Sequence, residues 1–396
     1  MNIILAVTHA LAMSFAMFWQ ILWPLILGFT ISGVVQAVVR KERIVRLLGD
    51  DHPATLLKAC GLGAASSSCS YAAVAIARSI FRKGANFTAA MTFEIASTNL
   101  VLELTIIMIV FLGWRFALAE VVGAALMVVI LAVLFRWWLS PKLLAEARAQ
   151  ADKGIAGRME GHAGMHMDAP AGGGVLKRIG SPSGMSAISH YFVMDWVSVW
   201  VDIAGGLLIA GALAAWVPPD WWANVFLVSH PTLAKFWGPL IGPIIAVLSF
   251  VCSVGNIPLA AVLWNGGISF GGVVAFIFAD LIVLPILDIY RRYYGTRMAW
   301  FIFGTFYLAM AGAALVVEFL FQALGLTPAA GGAHVATTAI TFNYTTVLNL
   351  VFLSLAAVLV RRFVGSGGPA MLRMMRMPPA PADHAAAHFG EHGGSA

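Results

Sequence analysis

The chain is 396 residues long, 60% of them hydrophobic and 11% charged, with a mean hydropathy of +0.88. A water-soluble domain could not hide that much apolar surface, so lipid is the solvent for most of it. The net charge of +6 would suggest nucleic acid in a soluble protein, but the basic residues gather at the ends of apolar stretches, where topology accounts for them without a polyanionic partner. Three cysteines, Cys60, Cys69 and Cys252, with no CxxC, argue against a disulfide framework or a zinc ribbon. No P-loop and no GxGxxG opening a strand-helix unit is present, so neither direct ATP drive nor a cofactor is expected.

Taken in chain order, apolar stretches near 11–39, 87–112, 114–139, 190–217, 268–289, 298–323 and 340–360 are each about 20 residues or more, enough to cross a hydrocarbon core of roughly 30 Å as a helix. The short alternating strands of an outer-membrane barrel do not appear. The first stretch lacks a basic leader and runs past Pro24 to Val39, which predicts a retained helix rather than a cleaved signal. Two further apolar segments, 59–80 and 236–264, are interrupted by Ala64-Ala65-Ser66-Ser67-Ser68-Cys69-Ser70 and by Cys252-Ser253-Val254-Gly255-Asn256-Ile257-Pro258. Ser and Asn cap helices and Pro favours a first turn, so each reads as two half-helices joined at a break. The hydrophilic stretch 140–189, rich in Gly, Ala, His and Met, is expected to be a mostly disordered cytoplasmic linker after a short helix from Pro141 to Lys153, and the tail 365–396 is expected to be disordered too.

Sliding the chain against itself gives an ungapped match at an offset of 183 residues between Cys69–Ala96 and Cys252–Ala279, with seven of 28 positions identical. A Cys-Ser pair and the Gly84/Gly267 pair stand in register within it. Charge decides how the broken segments sit. If both turn back as hairpins, with the N-terminus outside, 22 of the 24 Lys and Arg are cytoplasmic and only Arg115 and Lys235 are outside; if both span, the count is 14 against 10. The positive-inside rule favours the first. The expected fold is therefore all-α and polytopic, with two inverted repeats at 1–139 and 190–364, about seven full spans and two re-entrant broken-helix hairpins. The expected location is a bacterial inner membrane with the C-terminus cytoplasmic. Broken helices at matching positions of inverted repeats point to a central substrate site, although Ser, Gly and Pro also kink or pack ordinary spans.

Gly61-Leu62-Gly63-Ala64-Ala65-Ser66-Ser67-Ser68-Cys69-Ser70, then Arg82-Lys83-Gly84, Phe93 and Ser97-Thr98-Asn99, resemble the first half of the predicted-permease family that includes the organoarsenical efflux permeases. Cys252-Ser253-Val254-Gly255-Asn256-Ile257-Pro258-Leu259, Gly266-Gly267 and Ala275-Phe276 resemble its second half. The resemblance implies transport, not enzymatic chemistry. Where that family often shows Cys-Ser-Cys followed closely by Pro, this chain has Cys69-Ser70-Tyr71 and Ala75, so a neighbouring thiol pair for trivalent arsenic is missing.

Cys69 and Cys252, each ahead of a half-helix whose N-terminal dipole stabilises a thiolate, are candidate ligands for a soft solute, although Cys in an apolar helix is more often a small buried hydrophobe. Ser70, Ser253, Asn99 and Asn256 are candidates to orient a substrate, or else caps and interhelical polar contacts. Glu94, Glu103, Asp195, Asp202 and Asp280 lie in lipid segments and should face the bundle interior; Asp280 and Glu94 are the candidates for proton coupling. Asp288, beside Arg291 and Arg292, reads as a structural ion pair. His162, Met165, His166 and Met167, with the tail His384, His388 and His392, form loose metal-gathering tracts more easily read as solvated linker. Three functions follow: an efflux permease for a small soft solute such as a metalloid or metal species, a permease for an unrelated small anion or metabolite bound by half-helix N-termini, and an intramembrane thiol oxidoreductase, for which CxxC is absent. The bilayer and the solute are the expected partners; no nucleic acid is, and homo-oligomerisation is left open.

Overall fold

The computed structural model describes residues 3–38, 47–66, 70–152, 179–249, 253–329 and 344–376, and among them every regular element is helical. The first half comprises α1 (Ile3–Val38), α2 (Pro53–Ser66), α3 (Ser70–Arg82), α4 (Phe87–Asn99), α5 (Leu102–Phe111) and α6 (Trp114–Trp138), followed by a short α7 (Pro141–Ala151). The second comprises α8 (Pro182–Trp216), a short α9 (Pro219–Val225), α10 (Pro231–Ser249), α11 (Ser253–Asn265), α12 (Phe270–Phe278) with a 3-10 turn at Ala279–Leu281, α13 (Leu284–Tyr294) and α14 (Thr296–Ala323). Two helices close the chain, α15 (Tyr344–Gly365) and α16 (Gly368–Arg376).

Local chemistry starts these helices where the sequence marks them. The side chain of Asn86 accepts from the backbone N–H of Thr88 at 2.8 Å, and Ser269, 183 residues later, accepts from Gly272 at 3.2 Å, so α4 and α12 open with equivalent caps. Just before each cap a glycine turns the chain at positive φ, Gly84 at 108° and Gly267 at 96°, a conformation a β-carbon would strain. Ser140 and Ser181 cap α7 and α8, each with Pro in the first turn.

The offset of 183 that relates the sequences also relates the elements. Residues 70–82 of α3 map onto 253–265 of α11, end for end, and Phe87 of α4 maps onto Phe270 of α12. The packing repeats in step. α4 lies on α2, α3 and α6, as α12 lies on α10, α11 and α14. Between the halves, α3 meets α13 and α11 meets α5, while α1 pairs with α8 and α6 with α14. Every residue of α4 and every residue of α12 is buried, so these two helices form the centre of the bundle. Large apolar side chains such as Trp137, Trp200, Leu350 and Val351 are exposed on the outer helices, as a lipid-facing surface requires.

Five helices among the described residues are long and apolar enough to cross a membrane: the 4–31 portion of α1, then α6, α10, α14 and α15. They become seven if each of two bent pairs, α4 with α5 and the 270–281 segment with α13, counts as one span. Here the structure corrects the sequence reading. Segments 87–112 and 268–289 were expected to be continuous spans, yet each breaks with a bend of 42°. The first breaks at Leu100–Val101 and the second at Ile282–Val283; Pro285 in the first turn of α13 cannot extend a preceding helix. Asp280, expected near the middle of a helix, lies in the 3-10 turn at the second break. α10 is itself long enough to cross, although it carries Pro239 and Pro243 and was read as one limb of a hairpin. α8 starts at Pro182, inside the stretch read as linker, and α16 orders part of the tail read as disordered.

α7 lies across one end of the bundle. The guanidinium of the fully buried Arg78 of α3 donates to the carbonyl of Ala151 at 2.9 Å and sits 4.2 Å from the ring centre of Tyr293. Arg148 of α7 donates to the carbonyl of Ala85 at 3.2 Å and lies over Phe81. Gln150 donates to the carbonyl of Arg292 at 3.2 Å, and Glu146 pairs with Arg297 at 3.7 Å.

Candidate functional site

The polar centre is assembled where helices of both halves break. Ser70 is the first described residue of α3, and its hydroxyl donates to the Oδ2 carboxylate oxygen of Asp280 at 2.8 Å. This bond joins residues 210 apart in sequence, both buried to within 1% of full burial. Glu94, wholly buried on α4, accepts a short hydrogen bond through Oε1 from the Tyr290 hydroxyl of α13. Its other oxygen has no hydrogen-bond partner among the described residues.

Beyond Glu94, α4 turns polar on the approach to its break. Ser97 donates back to the carbonyl of Glu94 at 2.8 Å, and Thr98 to that of Ile95 at 3.1 Å. Asn99 donates to the carbonyl of Ile95 at 3.2 Å and to the Thr98 hydroxyl at 3.1 Å, leaving its Oδ1 buried without a partner among the described residues. Such back-bonding by short polar side chains competes with the helix ladder and accompanies bending. Asn256, on α11, is fully buried, and neither its amide nitrogen nor its oxygen has a partner among the described residues. Buried polar atoms without partners are uncommon because each costs about 1–3 kcal/mol.

Of the residues singled out in the sequence, Ser70, Asp280, Glu94, Asn99 and Asn256 are all buried, and the first two are in direct contact. Ser253 is the first residue of α11, and its side chain lies outside the described residues, as do Cys69, Cys252, His162, Met165, His166, Met167 and the tail histidines. Cys60 is a half-buried free thiol on α2. Glu103 packs against Gly28 of α1, where a β-carbon would come within 2.1 Å of its own Cβ, so the carboxyl stem fills the gap that glycine leaves. Asp195 is buried on α8, and the side chain of Asp202 lies outside the described residues. Asp288 is held by Arg291 at 2.7 Å and by Arg292 at 2.8 Å, the structural ion pair expected. Among the described residues no three His, Cys, Asp or Glu side chains are grouped to hold a metal ion.

Two acid or phenol groups of the interior and one buried cation under α7 were missed in the sequence. Tyr290 gives no signal there, since a tyrosine beside two arginines reads as interfacial. Arg78 looks like a charge at a helix end, yet it is fully buried. Glu120 was legible, because an acid inside the apolar run of α6 obeys the rule that selected the other acids.

These features define an integral membrane protein of discontinuous helices with a buried polar centre between its two halves. The chain belongs to the predicted permease family, whose model matches residues 6–319, from the first turns of α1 to the last turn of α14 and short of α15 and α16. A protein of Mycobacterium tuberculosis (strain H37Rv) named "Putative permease Rv2963" is 58% identical over 348 residues, covering 88% of this chain and 86% of that protein. No solved structure matches the chain.

Proposed function

We propose that the protein is a secondary-transporter permease, not an enzyme, that exports a small soft solute, a metalloid or metal species of the organoarsenical kind, with access alternating around the centre where α3 meets the turn after α12. The hydrogen bond from Ser70 to Asp280 carries this reading, because at full burial it joins α3 of the first half to the turn where the second half breaks. Irregular backbone at membrane depth is tolerated only where protein or a wet cavity satisfies it, and transporters place their sites at such breaks. The two halves are read as inverted repeats, and the charge asymmetry supports an inner-membrane placement with the C-terminus cytoplasmic. Asp280 and Glu94 are the coupling groups, Asn99 and Asn256 orient the solute, and Cys69 and Cys252 with Ser70 and Ser253 bind it.

The rival reading is a permease for a small anion held by half-helix N-termini. Against it stands the carboxylate of Asp280, already bonded to the first residue of α3, so an incoming anion would meet a resident negative group. Resistance profiling of a deletion strain across metals, metalloids and their organic derivatives tests the cargo, complemented by wild-type protein or by a Cys69→Ser, Cys252→Ser double variant. Loss of resistance in the double variant is expected. Full resistance without either thiol would remove Cys69 and Cys252 as its ligands, and a deletion strain with unchanged resistance to every metal and metalloid would overturn the soft-solute reading.

A further inference from the structure

Glu120 is buried to within 1% of full burial on α6, and neither of its carboxylate oxygens has a hydrogen-bond partner among the described residues. Neighbours on the same face fix its direction. Phe116, four residues before it, meets Phe270 of α12 with ring centres 4.7 Å apart. At Gly123, three residues after it, a β-carbon would come within 2.6 Å of the ring of Phe278, so α6 and α12 touch there closely. Residues three and four apart share a helix face, and both contacts advance in the same direction along the two helices. Glu120 therefore faces α12 between Phe270 and Phe278, and Asp280 follows two residues beyond Phe278 at the break.

The charged groups around it are few. Asp280 exerts an electrostatic influence on Glu120, and also on Glu94 of the neighbouring α4. Glu103 of α5 packs on α1. Glu318 of α14 accepts from the backbone N–H of Gly271. On α6 itself Arg115 and Arg136 lie toward the two ends. The acids near the breaks thus differ in kind: Glu94 is held by Tyr290 and Asp280 by Ser70, while Glu120 has neither oxygen bonded.

We propose that Glu120 is a further group, beside Glu94 and Asp280, that takes up and releases a coupled proton, with Asp280 as the neighbouring charge that makes its occupancy sensitive to the state of the break. The proposal rests on the permease reading and adds to it a coupling residue. An ionised carboxylate without a donor is among the costliest groups to keep in an apolar interior. Its charge therefore needs a companion, and the grouping of the described residues provides no metal cage. The step is a proton transfer alone: a carboxylate oxygen binds a proton from water on one side and returns it to water on the other, and no electrons move. Because Asp280 sits in the turn where the second half bends, a change in that bend changes its distance from Glu120 and so the proton's hold.

Dicyclohexylcarbodiimide, which reacts with protonated carboxyl groups in apolar surroundings, provides a test that needs no cargo. Purified full-length protein in liposomes is treated across a pH series, and the adduct is mapped by mass spectrometry. The expected result is an adduct on Glu120 that declines as pH rises. In parallel, Glu120→Gln is expected to lose the response of transport to a pH gradient, and Glu120→Asp to recover it in part. An adduct on Glu120 without transport of any cargo would count against the permease reading and leave the proton site standing. Absence of an adduct on Glu120 at every pH, or an unchanged gradient response in Glu120→Gln, would overturn the proposal.

Discussion

Two glycines on one helix make opposite predictions from the same chemical change. Gly63 of α2 lies so close to α4 that a β-carbon would sit 2.4 Å from the carbonyl oxygen of Phe93, 2.9 Å from the Ala96 methyl and 3.0 Å from the Ser97 nitrogen. Two of those three atoms are backbone, which cannot swing away, so Gly63→Ala must move the helices apart by about 1 Å to restore ordinary contact. Overpacking of this kind costs about 1–3 kcal/mol. Replacing Gly by Ala within a helix contributes roughly 0.5–1 kcal/mol in the other direction. The net expectation for Gly63→Ala is a loss of about 0–2.5 kcal/mol, centred near 1. Gly61, two residues earlier on the same helix, has nothing within 4 Å of its would-be β-carbon. Gly61→Ala therefore keeps only the propensity gain, about 0.5–1 kcal/mol. Thermal unfolding of the detergent-solubilised protein should place Gly61→Ala above wild type and Gly63→Ala below it. If Gly63→Ala unfolds at or above the temperature of Gly61→Ala, the close packing of α2 on α4 is wrong.

Removing the hydroxyl that Glu94 accepts should weaken the same function as neutralising the acid. Tyr290→Phe and Glu94→Gln are expected to be non-additive in gradient-driven transport, with a coupling of about 1–3 kcal/mol, and simple additivity would dissolve the pair. Arg78→Ala removes a buried guanidinium from Ala151 and Tyr293 and should destabilise the protein by about 2–4 kcal/mol, the hydrogen bond and the cation–π contact together. Arg78→Lys should recover part of that loss, and a neutral Arg78→Ala would deny the contact. Asp280→Asn should suppress gradient-driven transport while expression is maintained; wild-type gradient dependence would remove Asp280 from coupling. Single cysteines placed near Gly84 and Ser140 in a cysteine-free background should label from the cytoplasm, and one near Gly266 from outside; external labelling near Gly84 would refute the hairpin topology.

Much of the architecture was legible because lipid imposes it. Apolar length, the Cys-Ser recurrence and the matched glycines Gly84 and Gly267 foretold the helices, the offset of 183 and the equivalent turns. The breaks within 87–112 and 268–289 were hidden, because apolar residues continue on both sides of each bend and an apolar run carries no mark of its direction. Ser97-Thr98-Asn99 was the available hint, since three consecutive short polar residues weaken a helix; Asn99, read as a candidate to orient the substrate, also marks where α4 ends. Asp280 and Ser70 were each selected separately, but their contact could not be read, because pairing across 210 residues depends on how the halves dock. Tyr290 escaped for the same reason.

Helix α7 ties the two halves together at one end, since it is bonded to Arg78 and Ala85 in the first and to Arg292 and Arg297 in the second. It therefore acts as a clasp. Rocking motions that separate the halves at this end must first undo contacts that together hold roughly 3 kcal/mol, so the unclasped form would be populated at about one part in a hundred at rest. Opening at that end is then a threshold event rather than a gradual one.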